Sequence, residues 1–468
     1  MCLTGLILSA GVTPAMGKDD GLLISPDRLR YPPLHFSPPK PQRVILSNGM
    51  VLYILEDHEL PILYVTAVVK TGHMYDPAGL EGLAELTGEL MRTGGTKNLT
   101  ADAVNEALDF MAATVEVSTG LESTSVDLSV FTKDREKGID IFAQIMKEPA
   151  FSQDRIDIAK GLEVEALKRL RDDYTQLAFR EFGKCFYRGD PRGRTASVSS
   201  FGRIGREDLL RFHRRYFQPA NIMLAITGDI STAEALSLIG RHFDSWTGAG
   251  KQPESLPIPK GQPGGIHYLF KQVPQSVIIV GYPAPGRGDD DYYPFTVADF
   301  IIGSGGFRSL ITQKIRSDQG LAYSAGSFYR SRSGHGVFAA YAITKSSTTT
   351  LVLSLIRDII GTGPLKADDE ERLSWAKRSL DNSFIFSFQS ARQIAVQALM
   401  AEFEGLPGDY LARYRERIEQ VQSGDLRRVA RKYLSGEAMT LILGDQNAFD
   451  QPLDLFGPVN RLPEETDR

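Results

Sequence analysis

The chain has little of what a metal centre or a disulfide framework is built from. Its two cysteines, Cys2 and Cys185, are far apart in 468 residues, so they form neither a Cys-x-x-Cys ligand pair nor a disulfide-stapled fold. The seven histidines are His35, His58, His73, His213, His242, His267 and His335, and no two lie within five residues of each other. No local imidazole pair can form, so a zinc site would have to gather ligands from separate elements. His73 reads as a surface turn residue rather than a ligand. Long apolar runs are missing too: no stretch reaches the roughly 18 residues that a membrane-spanning helix needs. Lys and Arg number 53 against 58 Asp and Glu, a net charge of −5 with no long basic cluster, which excludes an obvious nucleic-acid footprint.

What is present is ordinary globular composition, 42% hydrophobic and 24% charged, in a chain long enough for about two to three domains. Met1–Gly17 reads as the hydrophobic part of a secretory signal without its basic n-region, Ala15 and Gly17 preceding a cleavage point. The expectation is export to a bacterial periplasm, with loss of Cys2. Residues 18–42 carry Pro26, Pro32, Pro33, Pro38, Pro39 and Pro41 and should form an extended lead-in. Asn48-Gly49 between Arg43–Leu46 and Met50–Leu55 predicts a hairpin. Strands are expected over Leu60–Lys70, Thr114–Ser118 and Thr124–Phe131, and helices over Ala101–Met111, Asp134–Met146 and Gln153–Asp172.

An internal repeat organises the whole. Arg215–Asp229 (RYFQPANIMLAITGD) and Lys432–Asp445 (KYLSGEAMTLILGD) each run from a helix-end Tyr through a turn and a buried strand to Gly-Asp, with Tyr216 and Tyr433 217 positions apart. Between them, 248–265 is a Gly/Pro/Lys linker. The reading is an α+β protein of two homologous lobes, 43–247 and 266–462, joined by a flexible linker.

Within the first lobe, Glu85 and Glu89 stand at i and i+4 on a helix whose other face carries Leu83, Leu86, Leu90 and Met91, and Glu81 extends the acidic stripe. One reading is a solvated acidic face. The other is a carboxylate pair for a hard cation such as Ca²⁺, Mg²⁺ or Mn²⁺. The stretch Gly82–Thr96 (GLAELTGELMRTGGT) resembles the active-site helix of the pitrilysin/insulinase-type zinc peptidases, Gly-x-Ala-His-x-x-Glu-His followed by a Gly-Thr stop. Gly82, Ala84, Leu90, Met91, Gly95 and Thr96 match the frame. Glu85 replaces the first His, Gly88 the catalytic Glu and Glu89 the second His, so the resemblance implies a zinc motif with its chemistry removed. The family's third ligand is a Glu on a later long helix, near Glu163 and Glu165. Without the His pair these read as part of a charged helix face.

A second motif is kept. Gly303–Ser324 (GSGGFRSLITQKIRSDQGLAYS) lacks the third glycine of a dinucleotide loop, position 308 being Arg, and lacks the Gly-Lys-Ser/Thr of a P-loop. From the residues alone, Arg316 is either a cation at a helix C-terminus or a donor to a developing oxyanion, and Tyr323 either packs in a strand or joins it. The segment resembles the second lobe of the same family, where an Arg and a Tyr at this spacing reach the substrate, and the match assigns those roles to Arg316 and Tyr323.

The resemblance covers residues from about 43 to 460. It implies a noncatalytic subunit of a two-chain zinc peptidase. This chain would lend half a chamber for unfolded peptides and the Arg316/Tyr323 pair, and bind no metal itself. A homologous zinc-bearing partner would supply zinc and its ligands, as in split sites of bacterial and mitochondrial family members. The rival readings are a peptide-holding or structural protein with the peptidase fold, and an active metallopeptidase that uses Glu85 and Glu89.

Overall fold

The computed structural model describes residues 38–248, 256–259, 264–362 and 370–463. The candidate leader 1–17, most of the lead-in 18–42 and most of the linker 248–265 lie outside them; Gly265 already opens a strand. Asn48-Gly49 turns β1 (Gln42–Ile45) back onto β2 (Val51–Glu56) as an antiparallel pair. The remaining strands of the first lobe are β3 (Ile62–Val69), β4 (Thr114–Thr119), β5 (Thr124–Phe131) and β6 (Ile222–Gly228). In the second lobe they are β7 (Gly265–Phe270), β8 (Gln275–Ala284), β9 (Ala322–Ser331), β10 (Gly336–Lys345), β11 (Met439–Gly444) and β12 (Val459–Arg461). The expected helices are Ala101–Phe110, Arg135–Lys147 and Gln153–Leu170.

The repeat is visible in the sheets. Their orders are β1-β2-β6-β3-β5-β4 and β12-β7-β11-β8-β10-β9. The two repeat strands, β6 and β11, each run parallel to one neighbour, β2 or β7, and antiparallel to the other, β3 or β8. The lobes differ at one edge, where β1 is antiparallel to β2 but β12 is parallel to β7.

One face of each sheet packs against its own lobe's helices to form the two large cores. The opposite face is covered by a helix from the other lobe. Tyr174–Phe186 lays Leu177, Phe182 and Phe186 on Val277, Ile279 and Leu441 of the second sheet. In return, Ala391–Phe403 lays Ala395 and Leu399 on Tyr53, Val68 and Ala225 of the first. Burying one Phe or Leu side chain contributes about 1.5–3 kcal/mol, so this exchange ties the lobes together through apolar contact. Charge pairs add to it, among them Arg392 to Asp127 at 2.7 Å and Arg332 to Glu122 at 3.2 Å. The described residues of both lobes fall within one compact unit. No helix among the described residues is long and apolar enough to cross a membrane.

Candidate functional site

The motif helix is Leu83–Thr93. Its start is pinned by Asp76, whose carboxylate accepts the N–H groups of Gly82 (2.8 Å) and Ala84 (2.7 Å). These are two of the donors a helix N-terminus leaves unpaired. Burial pushes the Asp76 carboxyl up to about 6, against those two N–H groups and the nearby His73 charge, which hold it down. Leu83, Leu86, Leu90 and Met91 are buried as expected, but so are Thr87 and Gly88. The acidic face is therefore narrower than a solvated stripe: Glu85 and Glu89 are only half-exposed.

Gly88 explains the packing. The helix lies against β4, and a Cβ built on Gly88 would stand 2.5 Å from Thr119 Oγ1 and 3.1 Å from Val117 Cγ1. Where the family motif has its catalytic Glu, this chain has both no carboxylate and no room for a side chain beside Thr119.

His73 lies in a turn, as the sequence predicts, but its side chain is partly covered rather than fully at the surface. It sits in a short helical turn, His73–Tyr75, with Nε2 3.2 Å from a Glu85 carboxylate oxygen. Burial would lower its pKa, but the Glu85 hydrogen bond and charge, with the charge of Asp76, outweigh that and raise it above the ordinary imidazole value. Glu89 is pushed up by burial and by the Glu85 charge. Glu163 is half-buried rather than part of an open charged face, and it is pushed up by burial and by the charges of Glu85 and Glu89. Glu163 therefore shares the electrostatic environment of the motif helix. Glu165 is exposed and pairs with Lys168 at 2.7 Å. Among the described residues, no group of three His, Cys, Asp or Glu side chains is arranged to hold a metal ion.

On the second lobe, the helix Tyr292–Asp299 passes into a π-helical turn, Phe300–Ser304, and then into the glycine-rich turn. A second π-helical segment, Thr312–Asp318, carries Arg316 in its last turn. The structure brings Arg316 and Tyr323 together: the guanidinium lies 5.4 Å from the centre of the Tyr323 ring. It also lies 5.1 Å from the ring of Phe307, a partner that sequence reasoning passed over. Phe307 and Tyr323 are 70% and 82% exposed, so the stack is presented to solvent rather than packed away. An aromatic in a glycine-rich turn, with an Arg two to three turns on, was the available signal for Phe307. Stacking of this kind contributes about 0.5–1 kcal/mol at an exposed site and holds the guanidinium plane while leaving its edge N–H groups for an acceptor.

Two family models match. Residues 53–197 match the insulinase domain of peptidase family M16, and residues 203–372 match the peptidase M16 inactive domain. An uncharacterized zinc protease of Rickettsia bellii is 24% identical over 412 residues, 86% of this chain and 97% of the relative. The non-peptidase homolog YmxG of Helicobacter pylori is 25% identical over 330 residues, 69% of this chain and 75% of the relative. The beta subunit of the rat mitochondrial-processing peptidase is 22% identical over 455 residues, 94% of this chain and 89% of the subunit. Among solved structures, a peptidase M16 inactive domain from Pseudomonas fluorescens superposes with a TM-score of 0.81 at 20% identity, covering 88% of this chain and 99% of the other. The insulinase model falls within the first lobe and the inactive-domain model runs from the end of the first lobe into the second, in a chain whose motif helix keeps the family frame with glutamates where the histidines would stand. The chain belongs to peptidase family M16, the pitrilysin/insulinase-type zinc peptidases, as a member with a degenerate zinc motif.

Proposed function

We propose that this chain is the noncatalytic subunit of a two-chain zinc metallopeptidase, and that it lends half the peptide chamber and the Arg316/Tyr323 pair to a site whose zinc sits in a homologous partner. The observation that carries this reading is the asymmetry between the lobes. The motif helix has no histidine and no side chain at position 88, whereas Arg316 lies against the ring of an exposed Tyr323. The residues of the motif helix do not fit zinc. Structural and catalytic zinc sites take nitrogen and sulfur donors with at most a minority of carboxylates, and here Glu85 is engaged by His73. Zinc chemistry is left to the partner.

Arg316 and Tyr323 suit the remaining task. Attack on a peptide carbonyl builds negative charge on its oxygen, and guanidinium N–H and phenol O–H groups placed there stabilise that charge most in the transition state. The guanidinium remains charged at any working pH.

Peptide hydrolysis by the purified chain alone, and by the chain with its zinc-bearing partner, tests the reading. The expected result is activity only in the mixture, abolished by chelation, with zinc recovered in the partner. Chelator-sensitive hydrolysis by this chain alone, with stoichiometric metal by elemental analysis, would establish the rival active enzyme built on Glu85 and Glu89. Similarity to a non-peptidase homolog favours a second reading, a peptide-holding protein with no part in cleavage. It predicts that peptides bind and that substitutions at Arg316 leave the partner's turnover unchanged.

A further inference from the structure

Asp299 is a carboxylate with no evident place in a stable core. It closes the helix Tyr292–Asp299 and is only 6% exposed. Its named partners are hydroxyls rather than cations: Ser327 Oγ donates to Asp299 Oδ1 at 2.5 Å, and Ser304 also donates. Ser327 lies on β9, the strand that carries Tyr323. Beside it, Gly303 is pressed so close to β9 that a Cβ would stand 2.5 Å from Ser327 N. Buried hydroxyls continue the stitching. Ser309 Oγ has its one proton within reach of the carbonyls of Gly306 (2.7 Å) and Gly303 (3.2 Å) and lies 3.1 Å from Thr312 Oγ1, and Thr312 donates to the carbonyl of Ala325 on β9 (3.1 Å). The glycine turn is thus tied to the Tyr323 strand at both ends, between two π-helical segments of a kind that recurs at functional sites.

We propose that Asp299 is a positioning residue: by gripping Ser327, its buried carboxylate fixes the glycine turn to β9 and so sets Phe307 and Arg316 against Tyr323. The use of that stack on a substrate rests on the function proposed above. A carboxylate is the fitting group because its ionised form accepts from Ser327 and Ser304 at once, whereas an amide or a protonated acid presents a donor to one of them. It is kept at a cost. Burial raises its pKa from 3.8 to about 6, against the two serine hydroxyls, which hold it down. The folded chain therefore holds this proton more tightly than the unfolded chain does, and the contribution of this group to stability falls as pH rises from about 4 to 6.

The test uses the full chain and its Asp299→Asn variant. In ¹⁵N-arginine spectra of the isolated chain, the Arg316 side-chain signal, assigned with Arg316→Lys, should carry ring-current shifts from Phe307 and Tyr323. These shifts should diminish in Asp299→Asn and below pH 6, while Tm at pH 7 stays the same or rises. Ser327→Ala should reproduce the spectral change should Asp299→Asn fold poorly. In the two-chain complex, Asp299→Asn should lower kcat roughly tenfold to a hundredfold with little change in KM, as a misplaced donor does. An unshifted Arg316 signal in folded Asp299→Asn or Ser327→Ala overturns the inference. A collapsed signal in a complex whose turnover ignores both Asp299→Asn and Arg316→Ala upholds the positioning and overturns the two-chain function instead.

Discussion

In the first lobe the motif helix Leu83–Thr93 is buried almost all round, pressed on Thr119 through Gly88, with its two carboxylates half-covered and one held by His73. In the second lobe the matching region leaves Phe307 and Tyr323 far out in solvent, with the Arg316 guanidinium near both rings. Beneath these surfaces, five strands of each sheet share order and direction. The difference teaches where a duplicated domain is free to change. The apolar faces that carry folding are kept in both copies, whereas the polar residues of the two motif regions differ in burial and in partners. Gly88 against Thr119 is packing that a side chain at position 88 would not allow.

The comparison can be broken at several depths. The deepest is the helix exchange. Phe186 is 2% exposed in the layer that joins the lobes, and Phe186→Ala should cost about 3–5 kcal/mol, read as a fall in the urea midpoint. A loss below about 1 kcal/mol would mean that the layer does not tie the lobes. Next comes Gly88→Glu, which returns a catalytic side chain to the motif. Overpacking against Thr119 should cost about 1–3 kcal/mol, and Thr119→Ala should recover part of it. A neutral Gly88→Glu would show that the helix has kept room for the old chemistry.

The smallest effect sits at His73. Its folded pKa is raised above its unfolded value of about 6.5. The His73–Glu85 pair therefore contributes stability that is fully present below that unfolded value and is lost as pH rises through the folded one. Both side chains are more than a third exposed, so screening holds the contribution under about 1 kcal/mol. His73→Ala should lower stability at pH 5.5 and leave it nearly unchanged at pH 9. An equal loss at both pH values would reduce His73 to packing.

Local chemistry was the legible part of this structure. Asn48-Gly49 announced the β1–β2 hairpin, and the paired Tyr-to-Gly-Asp segments announced β6 and β11, because a turn residue or an apolar run determines its own backbone. The frame around Gly82 and the spacing of Arg316 and Tyr323 were legible for the same reason. Long-range consequences were not. Gly88 read as a missing base, but the Thr119 contact that uses its bareness depends on how helix and sheet meet. His73 read as a turn residue because nothing in its neighbours reveals Glu85, twelve positions on. Glu163 read as helix surface because its environment is set by a different helix. The exchange of Tyr174–Phe186 and Ala391–Phe403 between lobes has no sequence signature beyond an apolar face, which does not name its partner.

Arg316 is proposed to act on a peptide bound at the partner's zinc, and turnover by the two-chain complex carrying Arg316→Ala is the decisive measurement. Removing one oxyanion donor costs about 2.7–4 kcal/mol, or roughly 10²–10³ in rate. Turnover is therefore predicted to fall at least roughly tenfold with fold and zinc content intact, and Arg316→Lys should rescue only part, because an ammonium lacks the planar fork. Wild-type turnover in the Arg316→Ala complex would contradict the account and leave this chain a scaffold.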